Sequence, residues 1–380
     1  MAEPLKAMYN EPFLRAFMDI VKKSHPEFQG ESFVRLVLAE GWAELELKGR
    51  MRRITESLGA TLPSDYGKAL DVLEAIADEC RGFPYLFFPD FVEVYGLEHW
   101  ERSIAALALF TRMSSSEFAV RPFLKRDQRR MMAQMQAWSL DPNEHVRRLA
   151  SEGCRPRLPW ADALPALKCD PDPIWPILEQ LKADPSEYVR RSVANNLNDI
   201  SKDHPEKVLA IAQAWIGACE ETDWVVRHAC RGMLKAARPE AMKLFGIVPQ
   251  PEIKVLEWEA APSAVRMGGT TEFRYALETP GGDPAKLRLE LAVEFPRSTG
   301  KLYRKLFKLS EKTVAGGTRL QGGRSFSFAD LSTRRHYPGI HRFALIVNGQ
   351  EVASAGVSLY DGTSPSDSIG ESERGGLISP

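Results

Sequence analysis

Apolar positions recur at helical spacing through the first two thirds of this 380-residue chain and at strand spacing through the last third. Val146, Leu149, Ala150 and Gly153 fall on one helix face, and Val189, Ser192, Val193 and Asn196 do the same further on. The runs Leu70–Cys80, Glu98–Met113, Arg126–Leu140 and His204–Glu220 likewise read as helices with short breaks. After Pro249-Gln250-Pro251 the pattern alternates, as Lys254–Trp258, Thr271–Leu277, Lys286–Phe295, Ser325–Phe328 and Phe343–Val347 show, with Gly, Pro and Asp turns between. Roughly seven short strands over about 110 residues suit an immunoglobulin-like sandwich, although no Cys-Trp-Cys framework is present. From Asp361 onward Ser, Gly, Asp and Glu dominate, as in disordered tails. The expected organisation is therefore a helical domain over 1–248, a β-sandwich over 249–360 and a disordered tail over 361–380.

One phrase opens successive helices. Asp141-Pro142-Asn143-Glu144-His145-Val146-Arg147-Arg148 returns as Asp184-Pro185-Ser186-Glu187-Tyr188-Val189-Arg190-Arg191, and a worn third copy runs from Thr222-Asp223 to Val226-Arg227-His228. The valines are 43 and then 37 residues apart. That is the period of HEAT-type helical pairs, which stack into a solenoid with a concave binding face. Each copy carries a start signal: Asp as N-cap, Pro at N1 and Glu in the first turn. A second, polar stripe lies off the apolar face, bearing Arg148 and Glu152 in one copy and Arg191, Asn195 and Asp199 in the next. Glu152 and Asn195 are repeat-equivalent, six residues after their valines.

Composition narrows the class. Hydrophobic residues at 44% and charged residues at 27% are ordinary for a soluble protein. No run is apolar enough to span a bilayer, and the opening residues carry no signal-peptide pattern, so a cytoplasmic protein is expected. Five cysteines (Cys80, Cys154, Cys169, Cys219 and Cys230) stand at no metal-ligand spacing and read as reduced, mostly packed thiols. The net charge of −1 hides two basic segments. Between Arg112 and Trp160 there are 10 Lys/Arg against 5 Asp/Glu, and between Lys286 and Arg342 there are 13 against 4. Either alone is compatible with a solvated face; together they point toward nucleic acid. Gly-rich phosphate loops, His-Glu-x-x-His, Cys-x-x-Cys and G-x-S-x-G motifs are all missing, so neither a metal nor a cofactor is expected.

Glu152 stands on its polar stripe beside Arg148, just before the loop Arg155-Pro156-Arg157-Leu158-Pro159 that ends in Trp160. The prolines stiffen that loop and could hold an indole near the carboxylate. The bland alternative is an i, i+4 pair of Glu152 with Arg148 and a Trp160 that plugs the inter-repeat core.

Several strings resemble the AlkC family of bacterial DNA alkylation-repair glycosylases, built on HEAT-like repeats. They are Leu47–Ile54 (LKGRMRRI), the segment from Pro89-Asp90-Phe91-Val92-Glu93 to Ser115–Phe123, Val146–Trp160 (VRRLASEGCRPRLPW) and Ser192–Lys202. The resemblance covers about 1–248, and Arg334–Arg342 (RRHYPGIHR) is similar to the Ig-like domain of one branch. It implies hydrolysis of the N-glycosidic bond of cationic bases such as 3-methyladenine and 3-methylcytosine in duplex DNA, by a monomer and without base flipping. Under it Glu152 is the first choice for a carboxylate that stabilises the oxocarbenium ion and orients water, and Glu117 is a second acid facing the sugar. Asp199 is a third, which could equally pair with Lys202. Trp160, Arg148 and Asn195 would meet the lesion, and Arg155, Arg157, Arg190 and Arg191 would grip phosphates unless they serve as salt bridges within the repeat. In the Ig-like part Arg334, Arg335, His336, His341 and Arg342 flank a tight turn and form a candidate DNA contact. The alternative is a HEAT scaffold that binds DNA or a protein without catalysis.

Overall fold

The computed structural model describes residues 4–250, 252–331 and 335–361. Two compact units divide between Gly232 and Met233. Among the described residues the first runs α1 (Glu11–Ser24), α2 (Gly30–Val37), α3 (Leu47–Thr61), α4 (Tyr66–Ala75), α5 (Phe87–Tyr95), α6 (Trp100–Met113), α7 (Val120–Arg126) and α8 (Gln128–Trp138). It continues through α9 (Glu144–Gly153), α10 (Pro165–Cys169), α11 (Trp175–Leu181), α12 (Glu187–Ile200), α13 (Pro205–Trp215) and α14 (Glu220–Ala229). Two short helices, α15 (Arg231–Lys235) and α16 (Pro239–Leu244), lead into the strands. The expected apolar stripes are the buried ones: Val146, Leu149 and Ala150 on α9 and Val189 and Val193 on α12 are all fully buried. None of the described helices is long and apolar enough to cross a membrane.

The repeated Asp-Pro phrase works differently from its expected capping role. Asn143, not Asp141, caps α9, accepting from the His145 amide at 2.9 Å. Asp141 and Asp184 instead form turns two residues ahead, accepting from the Asn143 amide (2.8 Å) and the Ser186 amide (2.9 Å). Asp184, itself buried, also takes the fork of the half-buried Arg147 from the preceding repeat at 2.7 and 3.0 Å, in a bidentate pair. The same Arg147 donates to the Asp141 and Pro142 carbonyls, and Arg190 repeats this with the Asp184 and Pro185 carbonyls. The phrase is thus a device for joining one repeat to the next. Gly153 ends α9 as glycine because a Cβ there would lie 2.7 Å from Val120 Cγ2 and 2.9 Å from Met135 Cε.

The second unit holds eight strands among the described residues. They are β1 (Lys254–Ala261), β2 (Ala264–Arg266), β3 (Thr270–Glu278), β4 (Ala285–Pro296), β5 (Leu302–Val314), β6 (Arg319–Ser327), β7 (Gly339–Val347) and β8 (Gln350–Tyr360). One sheet has the order β1-β3-β6 and the other β2-β8-β7-β4-β5; only the short β2–β8 pairing is parallel. Phe273 of the first sheet stacks on Phe343 of the second with ring centroids 4.2 Å apart. Phe328, Leu291 and Val357 complete this core. Asn348, at the β7–β8 turn, donates to the carbonyls of Val248 (2.6 Å) and Lys286 (3.0 Å), which ties the segment after α16 into the sandwich.

Candidate active site

Arg148 and Glu152 of α9 and Asp199 of α12 meet Arg155, in the loop after α9, and Glu117, ahead of α7, in one ion-pair network. Glu152, in the last turn of α9, receives Arg155 Nη1 at 2.6 Å on Oε1 and the Ser192 hydroxyl of α12 at 2.6 Å on Oε2, with Arg148 Nη2 at 3.5 Å. Arg148 turns its other nitrogen to Glu117, on the turn between α6 and α7, and also donates to Ser115 Oγ at 3.1 Å. Arg155 reaches Asp199 of α12 through Nε and Nη2, both at 2.8 Å. Lys202 holds the other Asp199 oxygen at 2.9 Å. Three carboxylates are therefore laced by two arginines across two repeats.

These are sequestered charges. Glu152 is 5% exposed and Asp199 2%, while Glu117 and Arg148 keep partly open side chains. Burial pulls the guanidinium of Arg148 down, but Glu152 and Glu117 more than offset it, so its pKa is raised. Arg155 is raised in the same way: Glu152 and Asp199 outweigh the burial. Both arginines stay cationic and hold the acids in fixed orientation. Asp199 and Glu152 both have their two oxygens occupied, and Arg148 joins Glu152 to the more open Glu117.

Two exposed aromatics lie on this part of the surface. Tyr188 of α12 is 42% exposed, with the Arg148 guanidinium 5.1 Å from its ring centroid. Trp160 is 59% exposed, so it does not plug the core; its ring meets the edge of Phe83 with centroids 6.4 Å apart. Its backbone has φ 62°, a left-handed conformation unusual for a bulky residue. Arg121 of α7 shapes the loop beneath it, donating to the carbonyls of Gly153 (3.1 Å), Arg155 (2.9 Å) and Asp162 (3.0 Å). Burial lowers the pKa of Arg121 to about 10. A cavity of about 140 Å³ beside Trp160 is lined by Lys48, Glu93, Phe118, Arg121 and Asp162, among others.

The remaining candidates separate. Arg157 faces Asp203 in a half-open pair (2.6 and 3.1 Å), and Arg191 pairs with Glu187 on the exposed side of α12. Arg190 is occupied by the carbonyls at its own helix start and does not join the network. Asn195 bridges to the next repeat, accepting from Arg231 Nη2 at 2.9 Å and lying 3.3 Å from His228 Nε2. In the sandwich, Arg334 lies outside the described residues, and Arg335 is open, with Asp330 no nearer than 3.9 Å. His336 needs a correction: at 4% exposure it is packed against Phe295, Phe326 and Phe328 and cannot meet DNA from there. His341 is fully buried beside it, and Arg342 pairs with Glu294 and Glu351. His341 lies in β7 and His336 in the segment before it, and packing against Phe295, Phe326 and Phe328 put both inside, which a reading of local charge could not show.

Sequence reasoning missed a further cluster, Arg52 of α3 with Asp90 (2.8 Å) and Glu93 (2.6 Å) of α5. Burial raises both acids, and Asp90 adds to the shift of Glu93. The only signal was that these residues fall in the two strings 47–54 and 89–93, about one repeat apart. Tyr188 and Arg231 were also missed; Tyr188 is the repeat-equivalent of His145, whose ring it meets with centroids 5.6 Å apart.

Residues 114–245 match the family described as DNA alkylation repair enzyme, and 254–361 match the family described as the C-terminal Ig-like domain of uncharacterised protein YhaZ. The chain is 46% identical to uncharacterized protein YhaZ of Bacillus subtilis (strain 168) over 91% of its own length and 96% of that protein's. It matches the Pseudomonas fluorescens alkylpurine DNA glycosylase AlkC, solved bound to DNA containing an abasic site analog, with TM-score 0.92 and 41% identity. That match covers 94% of this chain and all of the other. The chain belongs to the AlkC family of DNA alkylation repair glycosylases. HEAT-like helices followed by an Ig-like domain are the architecture it shares with AlkC.

Proposed function

We propose that this AlkC-family protein excises cationic N3-alkylated bases, 3-methyladenine and 3-methylcytosine, from duplex DNA as a monofunctional glycosylase that leaves the base unflipped. The observation that supports this most is the pair Glu117 and Glu152, held on either side of Arg148 in a largely buried ion-pair network whose Glu117 end is partly open. Alkylation at N3 makes the base a cation, so the electron pair of the C1′–N bond leaves with it and no strong general acid is needed. Positive charge then grows on the deoxyribose, and preorganised carboxylates stabilise it. Water adds at C1′ and loses its proton to one of them. Asp199 fixes Arg155, and through it Glu152. Tyr188 and Trp160 offer apolar faces to sugar and base, while Arg157 and Arg191, in exposed pairs that cost little to break, take phosphates. Arg335 extends the contact from the Ig-like domain, and the protein acts as a monomer on the nucleoid in a bacterial cytoplasm.

The test is product analysis. Purified protein is mixed with duplexes carrying 3-methyladenine, 3-methylcytosine or 7-methylguanine, and free base and alkali-labile sites are measured. Base release that leaves the strand intact until alkali is added is the expected result. Strand cleavage without alkali would overturn the monofunctional reading. DNA binding with no base release would leave the scaffold alternative.

A further inference from the structure

Trp160 lies five residues beyond Arg155 on the loop after α9, beside the small cavity that Phe118 and Arg121 line, yet little of its side chain anchors it. The residue is 59% exposed, its ring meets one neighbouring aromatic, Phe83, and its φ is 62°. A tryptophan is held in a left-handed conformation only when its surroundings over-determine the backbone. Arg121 fixes Gly153, Arg155 and Asp162 on either side, but it does not reach Trp160 itself. The bond that does comes from Lys48, 112 residues earlier, whose Nζ donates to the Trp160 carbonyl at 2.8 Å. The same ammonium lies 4.5 Å from the centroid of Phe118, the neighbour of Glu117. Lys48 is exposed and sits in the first turn of α3, the end of a helix where a cation is disfavoured. Helix stability does not account for a lysine there; the Trp160 carbonyl it meets does, together with Asp90, Glu93 and Asp162, whose carboxylates its charge favours.

We propose that Lys48 is a positioning residue for the glycosylase reaction: it clamps the left-handed Trp160 and orders Phe118 under the same ammonium. This rests on the proposed base-release activity, to which it adds a residue from the first part of the helical unit. Lys48 touches neither sugar nor base. Its loss lets Trp160 relax out of the left-handed region, so the indole leaves its place over the lesion while the DNA grip remains.

The test compares wild type, Lys48→Met, Lys48→Arg, Trp160→Ala and the Lys48→Met/Trp160→Ala double variant. Single-turnover base release from 3-methyladenine duplex should fall about tenfold in Lys48→Met with DNA affinity within about twofold, and Lys48→Arg should recover most of it. In the Trp160→Ala background the same change should cost less than about twofold, because the two act as one unit. A 5-fluorotryptophan resonance assigned to position 160 should shift and broaden in Lys48→Met and return in Lys48→Arg. Additive losses, or weakened DNA binding at unchanged rate, would make Lys48 a direct phosphate contact and overturn the proposal. An unmoved resonance would overturn it as well. Wild-type protein without base release would refute the activity instead, and the fluorine signal would still judge the clamp.

Discussion

Glu152→Gln is the change that separates the chemistry of the network from its structural role. Glutamine keeps the shape and an accepting oxygen for Arg155 (2.6 Å in the native pair), but removes the charge. Its amide nitrogen then faces Ser192 Oγ, which can accept from it and turn its own hydrogen to Ser151 Oγ, 3.0 Å away. Arg148 retains Glu117 and Arg155 retains Asp199, so neither guanidinium is left as an uncompensated buried charge, the situation that costs about 3–5 kcal/mol. What is lost is the charge assistance on the Arg155 and Arg148 contacts, about 1–2 kcal/mol of stability. For a unit of this size that lowers Tm by a few degrees, at roughly 2–4 °C per kcal/mol. The rate should suffer far more. A preorganised group facing developing charge contributes about 10²–10³-fold, or ~2.7–4 kcal/mol. DNA affinity should hold or rise, since a negative charge leaves a phosphate-binding surface. Base release under single turnover, thermal unfolding and a DNA-binding isotherm measured on one preparation decide the matter. A folded, DNA-binding Glu152→Gln protein that releases base at the wild-type rate would refute the reasoning and transfer the role to Glu117.

Three further outcomes follow from the geometry. Arg121→Met leaves the carbonyls of Gly153, Arg155 and Asp162 without their buried donor and should destabilise the helical unit by about 3 kcal/mol, read by denaturant unfolding. Gly153→Ala forces a methyl to within 2.7 Å of Val120 Cγ2 and should cost about 1–3 kcal/mol in the same assay; an unchanged midpoint would show that α7 gives way freely. Burial lowers the pKa of His341, whose titratable neighbour is His336 at 6.0 Å between ring centroids. As pH falls below about 6.5 the unfolded chain takes up a proton that the buried ring refuses, so sandwich stability that is present above that pH is lost progressively. His341→Phe should flatten this dependence in thermal melts between pH 7.5 and 5, and an equally steep slope would refute the assignment.

The stripe carrying Arg148 and Glu152 was legible because helical period alone sets which residues share a face. The 43- and 37-residue spacing of Val146, Val189 and Val226 announced stacked repeats for the same reason, and the strand blocks after Pro251 announced a sandwich. Partners across repeats were another matter. That Arg155 reaches Asp199, that Arg148 turns to Glu117, and that Arg147 rather than a cap oxygen explains Asp184 depends on how far apart neighbouring helices stand. Asp141 read as an N-cap because the Asp-Pro spelling fits both a cap and the turn before one; only the helix start at Glu144 separates them.

What the sequence determined by itself is periodicity: helix faces, repeat length, the change to strands and the acids that could share one surface. Local spacing encodes these through bond geometry that no other residue can alter. The tertiary structure decided everything that hangs on contacts between distant segments. It buried His336 and His341 among phenylalanines, set Arg190 against its own helix start, and brought Lys48 to Trp160 across 112 residues. Such meetings follow from the packing of whole helices and sheets, where the burial of many apolar side chains outweighs the preference of any single charged one.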